Sequence, residues 1–145
     1  MSSTPAVLYT PTNCMGVVAE LNLPVTAYRV LLMLMERQQP GGRIVMPQRR
    51  IGELLGIGRS SVTVALGALV TARLVLRPEG YKEYQLNAML AGYASPGDAW
   101  DAIETMDEED RLDDTAFVQR YKENQALQEH ARADKRRRSI LKVAG

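Results

Sequence analysis

The stretch Ile51-Gly52-Glu53-Leu54-Leu55-Gly56-Ile57-Gly58-Arg59-Ser60-Ser61-Val62-Thr63-Val64-Ala65-Leu66 decides the fold of this chain. Ile51, Leu54 and Leu55 recur at helical spacing and stop at Gly56, a residue that can enter the left-handed conformation closing many helices. A second helix is predicted from Arg59 to about Ala72, with Val62, Ala65, Leu66, Leu69 and Val70 as its apolar stripe and Arg59, Ser60, Ser61, Thr63 and Thr71 mostly opposite. Two helices joined so tightly must cross steeply, and glycine in the turn lets them do so.

Upstream, Thr26 is the predicted N-cap of a helix whose core positions are Ala27, Val30, Leu31, Leu34 and Met35, ended by Pro40-Gly41-Gly42. Arg43 to Met46 is a short β-prone segment, and Pro47 suits the first turn of the next helix. Nearer the start, Ala6 to Tyr9 reads as a short strand and Cys14 to Leu21 as a short helix. Downstream, Leu74 to Leu76, the polar turn Arg77-Pro78-Glu79-Gly80 and Tyr81 to Leu86 read as a two-stranded hairpin. Ser95-Pro96-Gly97-Asp98 is a strong helix start, and Ala99, Trp100, Ile103 and Met106 make the apolar face that follows, with Trp100 expected in the core.

The order helix, short strand, helix, glycine turn, helix, hairpin resembles the bacterial winged helix-turn-helix superfamily. From about Leu23 to Gly92, with the exit Tyr84-Gln85-Leu86-Asn87 and Gly92 shortly after, the chain is most similar to plasmid replication proteins of the RepL type, and more loosely to MarR-like and GntR-like regulators. The resemblance implies a mainly α protein with a small β-hairpin (α+β): a winged helix-turn-helix domain at 1–106 and a charged, partly helical or flexible C-terminal extension at 107–145. It also implies double-stranded DNA as partner, for transcription regulation or for plasmid replication and maintenance.

In such a protein the third helix enters the major groove and the hairpin lies along the flanking backbone. Arg59 is then placed to read guanine, while Ser60, Ser61 and Thr63 are placed to bond phosphate or bases. Arg49 and Arg50 open the preceding helix, Arg77 and Lys82 flank the hairpin turn, and Arg43 lies on the short strand; each is a phosphate candidate. Val64 and Gly67 depart from the pattern, standing where relatives carry long polar side chains. That bare helix favours an alternative, a winged-helix module that binds protein. Read without DNA, the arginines are solvated, Tyr81 and Tyr84 pack across strands, Met33, Met35 and Met46 fill space, and Cys14 is a small buried hydrophobe.

Length and composition are compatible with this reading. The chain has 145 residues, 46% hydrophobic and 24% charged, which suits one domain and a tail. One cysteine excludes an internal disulfide, and one histidine, His130, leaves little for a metal cage or a nucleophile-histidine pair. No enzyme, metal or cofactor is expected. The apolar run Val30 to Met35 stops at Glu36-Arg37, and Met1 to Pro11 has no signal pattern, so a soluble cytoplasmic protein without membrane partners is expected.

The net charge of +1 conceals a strong division. Residues 1–97 hold nine basic and five acidic side chains, 98–114 one and nine, and 115–145 eight and three. The acidic block Asp107 to Asp114 reads as a solvated linker, with a partner-binding segment or a mobile competitor for the basic face as alternatives. In the tail, Phe117, Tyr121, Leu127 and Ala131 make an interrupted stripe, suited to docking on a protein partner or to remaining mobile, and Lys135 to Arg138 either attract nucleic acid or keep the end soluble. A homodimer is a further expectation, its interface near the N-terminus or after Asn87.

Overall fold

The computed structural model describes residues 7–77 and 83–144. The chain is mainly helical with a small three-stranded antiparallel sheet. In order come α1 (Met15–Glu20), α2 (Val25–Arg37), β1 (Arg43–Val45), α3 (Gln48–Leu55), α4 (Arg59–Thr71), β2 (Val75–Leu76), β3 (Glu83–Leu86), α5 (Pro96–Thr105), a 3-10 turn (Glu108–Asp110) and α6 (Phe117–Ala144). Among the described residues no single helix is long and apolar enough to cross a membrane.

One core unites these elements. Ala27, Val30, Leu31 and Leu34 of α2 meet Ile51 of α3 and Val62, Ala65, Leu66 and Leu69 of α4. Leu54, Leu55 and Val70, expected in the core, pack only at its edge. α2 starts two residues earlier than expected: Pro24, not Thr26, is its N-cap, and the Pro24 carbonyl accepts the N–H groups of Ala27 and Tyr28 at 2.9 and 3.3 Å. Pro47 likewise sits just outside α3, with extended backbone.

The chain turns through 109° between α3 and α4. Gly56 makes the turn with φ of +66°, and the Gly52 carbonyl accepts from the N–H groups of both Gly56 and Ile57. Gly52 itself is buried and has no room for a side chain, since a Cβ there would lie 2.9 Å from the Ile57 carbonyl oxygen and 3.4 Å from Val62 Cγ2. Arg29 Nη2 donates to the Leu55 carbonyl at 3.1 Å, putting a cation at the negative end of α3 and tying it to α2.

Within the short β-prone segment expected at Arg43 to Met46, Arg43 to Val45 form a strand that pairs with the central strand of the sheet. Its order is β1-β3-β2, with Ile44 opposite Tyr84 and Val75 opposite Leu86, and all four side chains are buried. The expected hairpin, β2 with β3, therefore supplies one edge and the centre of a three-stranded sheet, while its turn, Tyr81 and Lys82 lie outside the described residues. Of the strand expected at Ala6 to Tyr9, Ala6 lies outside the described residues, and the rest forms one bridge, Tyr9 with Tyr93, whose two N–H groups each donate across it at 2.8 Å.

α4 ends at Thr71, with Ala72 as its C-cap, and the next residue, Arg73, adopts φ of +59° where glycine is usual. That conformation directs Arg73 to the acidic turn, where its guanidinium pairs with Asp110 and, at 3.7 Å, with Glu109. Buried Asn87 completes the junction. Its Nδ2 donates to the carbonyls of Arg73 and Asp110 at 2.9 and 2.7 Å, and its Oδ1 accepts from Met89 N–H at 2.9 Å. The acidic block is thus not a solvated linker: Asp110 and Leu112 are buried, as are Phe117 and Tyr121 at the start of α6. Hydrogen bonds from Arg111 hold the Asp113 carboxyl below its usual range, and burial pushes the Cys14 thiol up and keeps it protonated.

Trp100 is a correction of another kind. Ser95 caps α5 as expected, its Oγ accepting Asp98 N–H at 3.1 Å, and Ala99 and Ile103 turn inward. Trp100 is 66% exposed, because α5 is an outer helix and Trp100 lies at the edge of its inward stripe, rimming a pocket with Tyr9 and Arg111.

Two alanine substitutions test the helix junction with opposite signs. Gly52→Ala forces a Cβ onto backbone and is expected to destabilise by about 1–2 kcal/mol after its gain in helix propensity. Gly67→Ala, where an added Cβ meets nothing within 4 Å, should stabilise by about 1 kcal/mol. Urea unfolding of both variants checks the pair.

Candidate nucleic-acid interface

The steep junction leaves the first turns of α3 and α4 on one side of the molecule. Between them lies an open groove of about 960 Å³, whose lining includes Gln48, Arg49, Glu53, Arg59, Thr63 and Arg77. Four of the residues singled out from the sequence, Arg49, Arg59, Thr63 and Arg77, therefore share one concave surface. With three arginines against Glu53, it carries a net positive charge.

The backbone adds to that charge. Neither Pro47 of α3 nor Gly58 of α4 caps its helix with a side chain. The first N–H groups of both helices thus remain available to an anion, at the positive ends of the helix dipoles. In α4 those groups belong to Arg59, Ser60 and Ser61, all exposed.

The side chains are only partly committed. Thr63 Oγ1 lies 3.2 Å from Gln48 Oε1 and 3.1 Å from the Arg59 carbonyl, bridging the two helices across the groove. Arg49 and Arg50 both reach Glu53, at 3.6 and 3.5 Å, in exposed pairs of small energetic value. Arg77 stands 5.9 Å above the Tyr84 ring, a cation–π contact that orients it from β2 toward the groove. Tyr84 is fully buried and cannot stack on an external base; among the described residues its hydroxyl is the one buried side-chain polar atom without a hydrogen-bond partner.

The remaining expected residues lie off the groove. Ser60 and Ser61 are exposed on the first turn of α4, and Arg50 projects from α3. Arg43 forms an exposed pair with Glu83 across the β1–β3 ladder at 2.5 Å, so its charge is compensated. Two groove residues escaped the sequence reading, Gln48 and Glu53. Both were discoverable in principle: Gln48 precedes the Arg49-Arg50 pair in the first turn, and Glu53 stands three and four residues after them.

No family model, curated protein or solved structure matches this chain. The groove brings together exposed guanidinium groups, uncapped helix N-termini and a hydroxyl, groups of the kind that can bond phosphate oxygens.

Glu53 is the one carboxylate opposing that chemistry. Glu53→Gln releases Arg49 and Arg50 and is expected to tighten binding of heparin about two- to fivefold at low salt, an effect that shrinks as salt is added. Fluorescence anisotropy with labelled heparin measures it.

Proposed function

We propose that this chain is a winged helix-turn-helix protein that binds double-stranded DNA sequence-specifically, without catalysis, as a transcription regulator or a plasmid replication or maintenance factor. One observation carries the proposal: Arg59 and the uncapped N-terminus of α4 lie in the same groove as Arg49 of α3 and Arg77 beside the sheet. In this reading α4 enters the major groove by its first turns. Arg59 presents a donor fork to a guanine edge, and Ser60, Ser61 and Thr63 contact phosphate or bases. Arg49, Arg50 and Arg77 hold the phosphate backbone on either side, with Lys82 and Arg43 as outer contacts.

The bare outer face of α4 then acquires a role. Ser60, Val64, Gly67 and Thr71 fall on one helical face, and Val64 is 67% exposed. With no long side chain at Gly67, a duplex can approach closely, and the Val64 methyls suit contact with thymine methyl groups. A second copy would place two such helices about one DNA turn, ~34–36 Å, apart on a two-fold site. Such a protein works in the cytoplasm, beside its DNA.

The same bare face supports the second reading, a module that binds protein through Val64 and its neighbours. Selection of genomic fragments by the purified protein at near-physiological salt separates the two. A DNA reader enriches a short motif that Arg59→Ala loses, with affinity for that motif falling ~5- to 150-fold, the worth of one bidentate base contact. Its position beside a promoter or an origin then chooses between regulation and replication. No enrichment of fragments by the parent protein would favour the protein-binding module.

A further inference from the structure

α6 is held to the body only at its beginning. Phe117 and Tyr121 are buried, yet from Lys122 to Leu141 every residue but the half-buried Asp134 is exposed. The helix nevertheless continues to Ala144, extending about 34 Å past its last buried anchor at 1.5 Å per residue. Nothing among the described residues covers it. A helix this exposed has no apolar face packed to support it, and its charges do not support it either.

Between Arg132 and Arg138 stand five basic residues, Arg132, Lys135, Arg136, Arg137 and Arg138, against Asp134 alone. Asp134 is itself 3.5 Å from His130. Arg132 faces Lys135 and Arg136 at three and four residues' spacing, and Lys135 faces Arg138, so like charges repel along the helix. Successive residues are about 100° apart around the axis, so the cations of positions 135 to 138 surround the helix rather than form a seam. That distribution opposes pairing with a second α6. The five charges span about 9 Å of axis at 1.5 Å per residue, near the one phosphate per ~1.7 Å of duplex DNA.

We infer that the distal half of α6 is a second DNA contact: a basic arm that lies along the phosphate backbone outside the α3–α4 site, adding affinity without sequence and becoming more firmly helical when phosphates neutralise it. The inference rests on the reading of this chain as a duplex-DNA binder. The arm differs from the groove in kind, since it offers charge and no fixed geometry, and it therefore governs salt dependence while the groove governs selectivity.

The test uses the full chain, a 30-base-pair duplex of random sequence, and a variant with Lys135, Arg136, Arg137 and Arg138 all changed to Gln. Because the four side chains are exposed, the variant's unfolding midpoint should equal that of the parent. Anisotropy titrations from 50 to 300 mM KCl should give a plot of log affinity against log salt shallower by about two in the variant, since roughly half of the cations around the helix can face one backbone. Affinity at 100 mM should fall at least tenfold, and the gain in far-ultraviolet helical signal on adding duplex should be confined to the parent. Superimposable slopes would overturn the arm, and so would a parent dimer by light scattering that the variant loses while its slope is unchanged, which would assign α6 to a second copy. Arg59→Ala keeps the two claims apart. If it leaves motif selection intact while the glutamine variant loses slope, the groove reading fails and the arm stands; the converse result leaves the groove and removes the arm.

Discussion

The close approach of Gly52 to the Ile57 carbonyl is the constraint on which the rest of the arrangement depends. With no side chain at position 52, the end of α3 folds back over its own last turn, and the Gly52 carbonyl can accept two N–H groups at once. Gly56 supplies the left-handed turn, and α4 departs at 109° with its first N–H groups uncapped. Each consequence is local, yet together they expose Arg59 beside Arg49 and bring Thr63 into contact with Gln48. A side chain at position 52 would push the helices apart and open the groove that they jointly line.

The opposite end of α4 is set by a different device. Arg73 takes an unfavourable left-handed conformation, offset by its ion pair with buried Asp110 and by the three hydrogen bonds of Asn87. This junction holds the acidic turn at the C-terminus of α4, about 18 Å along the helix from Arg59 at 1.5 Å per residue. Arg59 thus stands at the start of α4, and the carboxylates of the docked turn, Glu109 and Asp110, lie past its end, paired with Arg73. An acidic segment fixed there is not a mobile competitor for the groove. It instead seats Leu112, Phe117 and Tyr121 against the body and determines where α6 leaves it.

What the sequence made legible follows from how local each signal is. Helix α4 and the turn before it were readable because their apolar spacing and glycines act within a few residues. The Ser95 cap was readable for the same reason. The third strand was not, because Arg43 to Val45 pairs with residues some forty positions away, and nothing in the short segment names its partner. Trp100 misled because spacing says which residues share a helix face but not whether another layer covers its edge. The acidic block misled because its composition is that of a solvated segment, whereas Leu112 and one buried carboxylate, matched to Arg73 and Asn87, are enough to pin it. In the candidate site, Arg49, Arg59 and Thr63 line the groove from their two helices, and Arg77 joins them from the end of β2. Arg43 did not, since its compensation by Glu83 depends on the same unread strand pairing.

The most direct measurement of the central claim is a photo-crosslink from the outer face of α4 to DNA. Cys14 is 1% exposed, so Ser60→Cys introduces the accessible thiol to which a short thiol-reactive photo-crosslinker can be attached. Irradiated with a pool of random-sequence duplexes at near-physiological salt, this protein should form adducts on major-groove base atoms. A control probe at Leu32, exposed on α2, should give few. Adducts of equal yield from both positions, or adducts confined to added protein, would contradict the account.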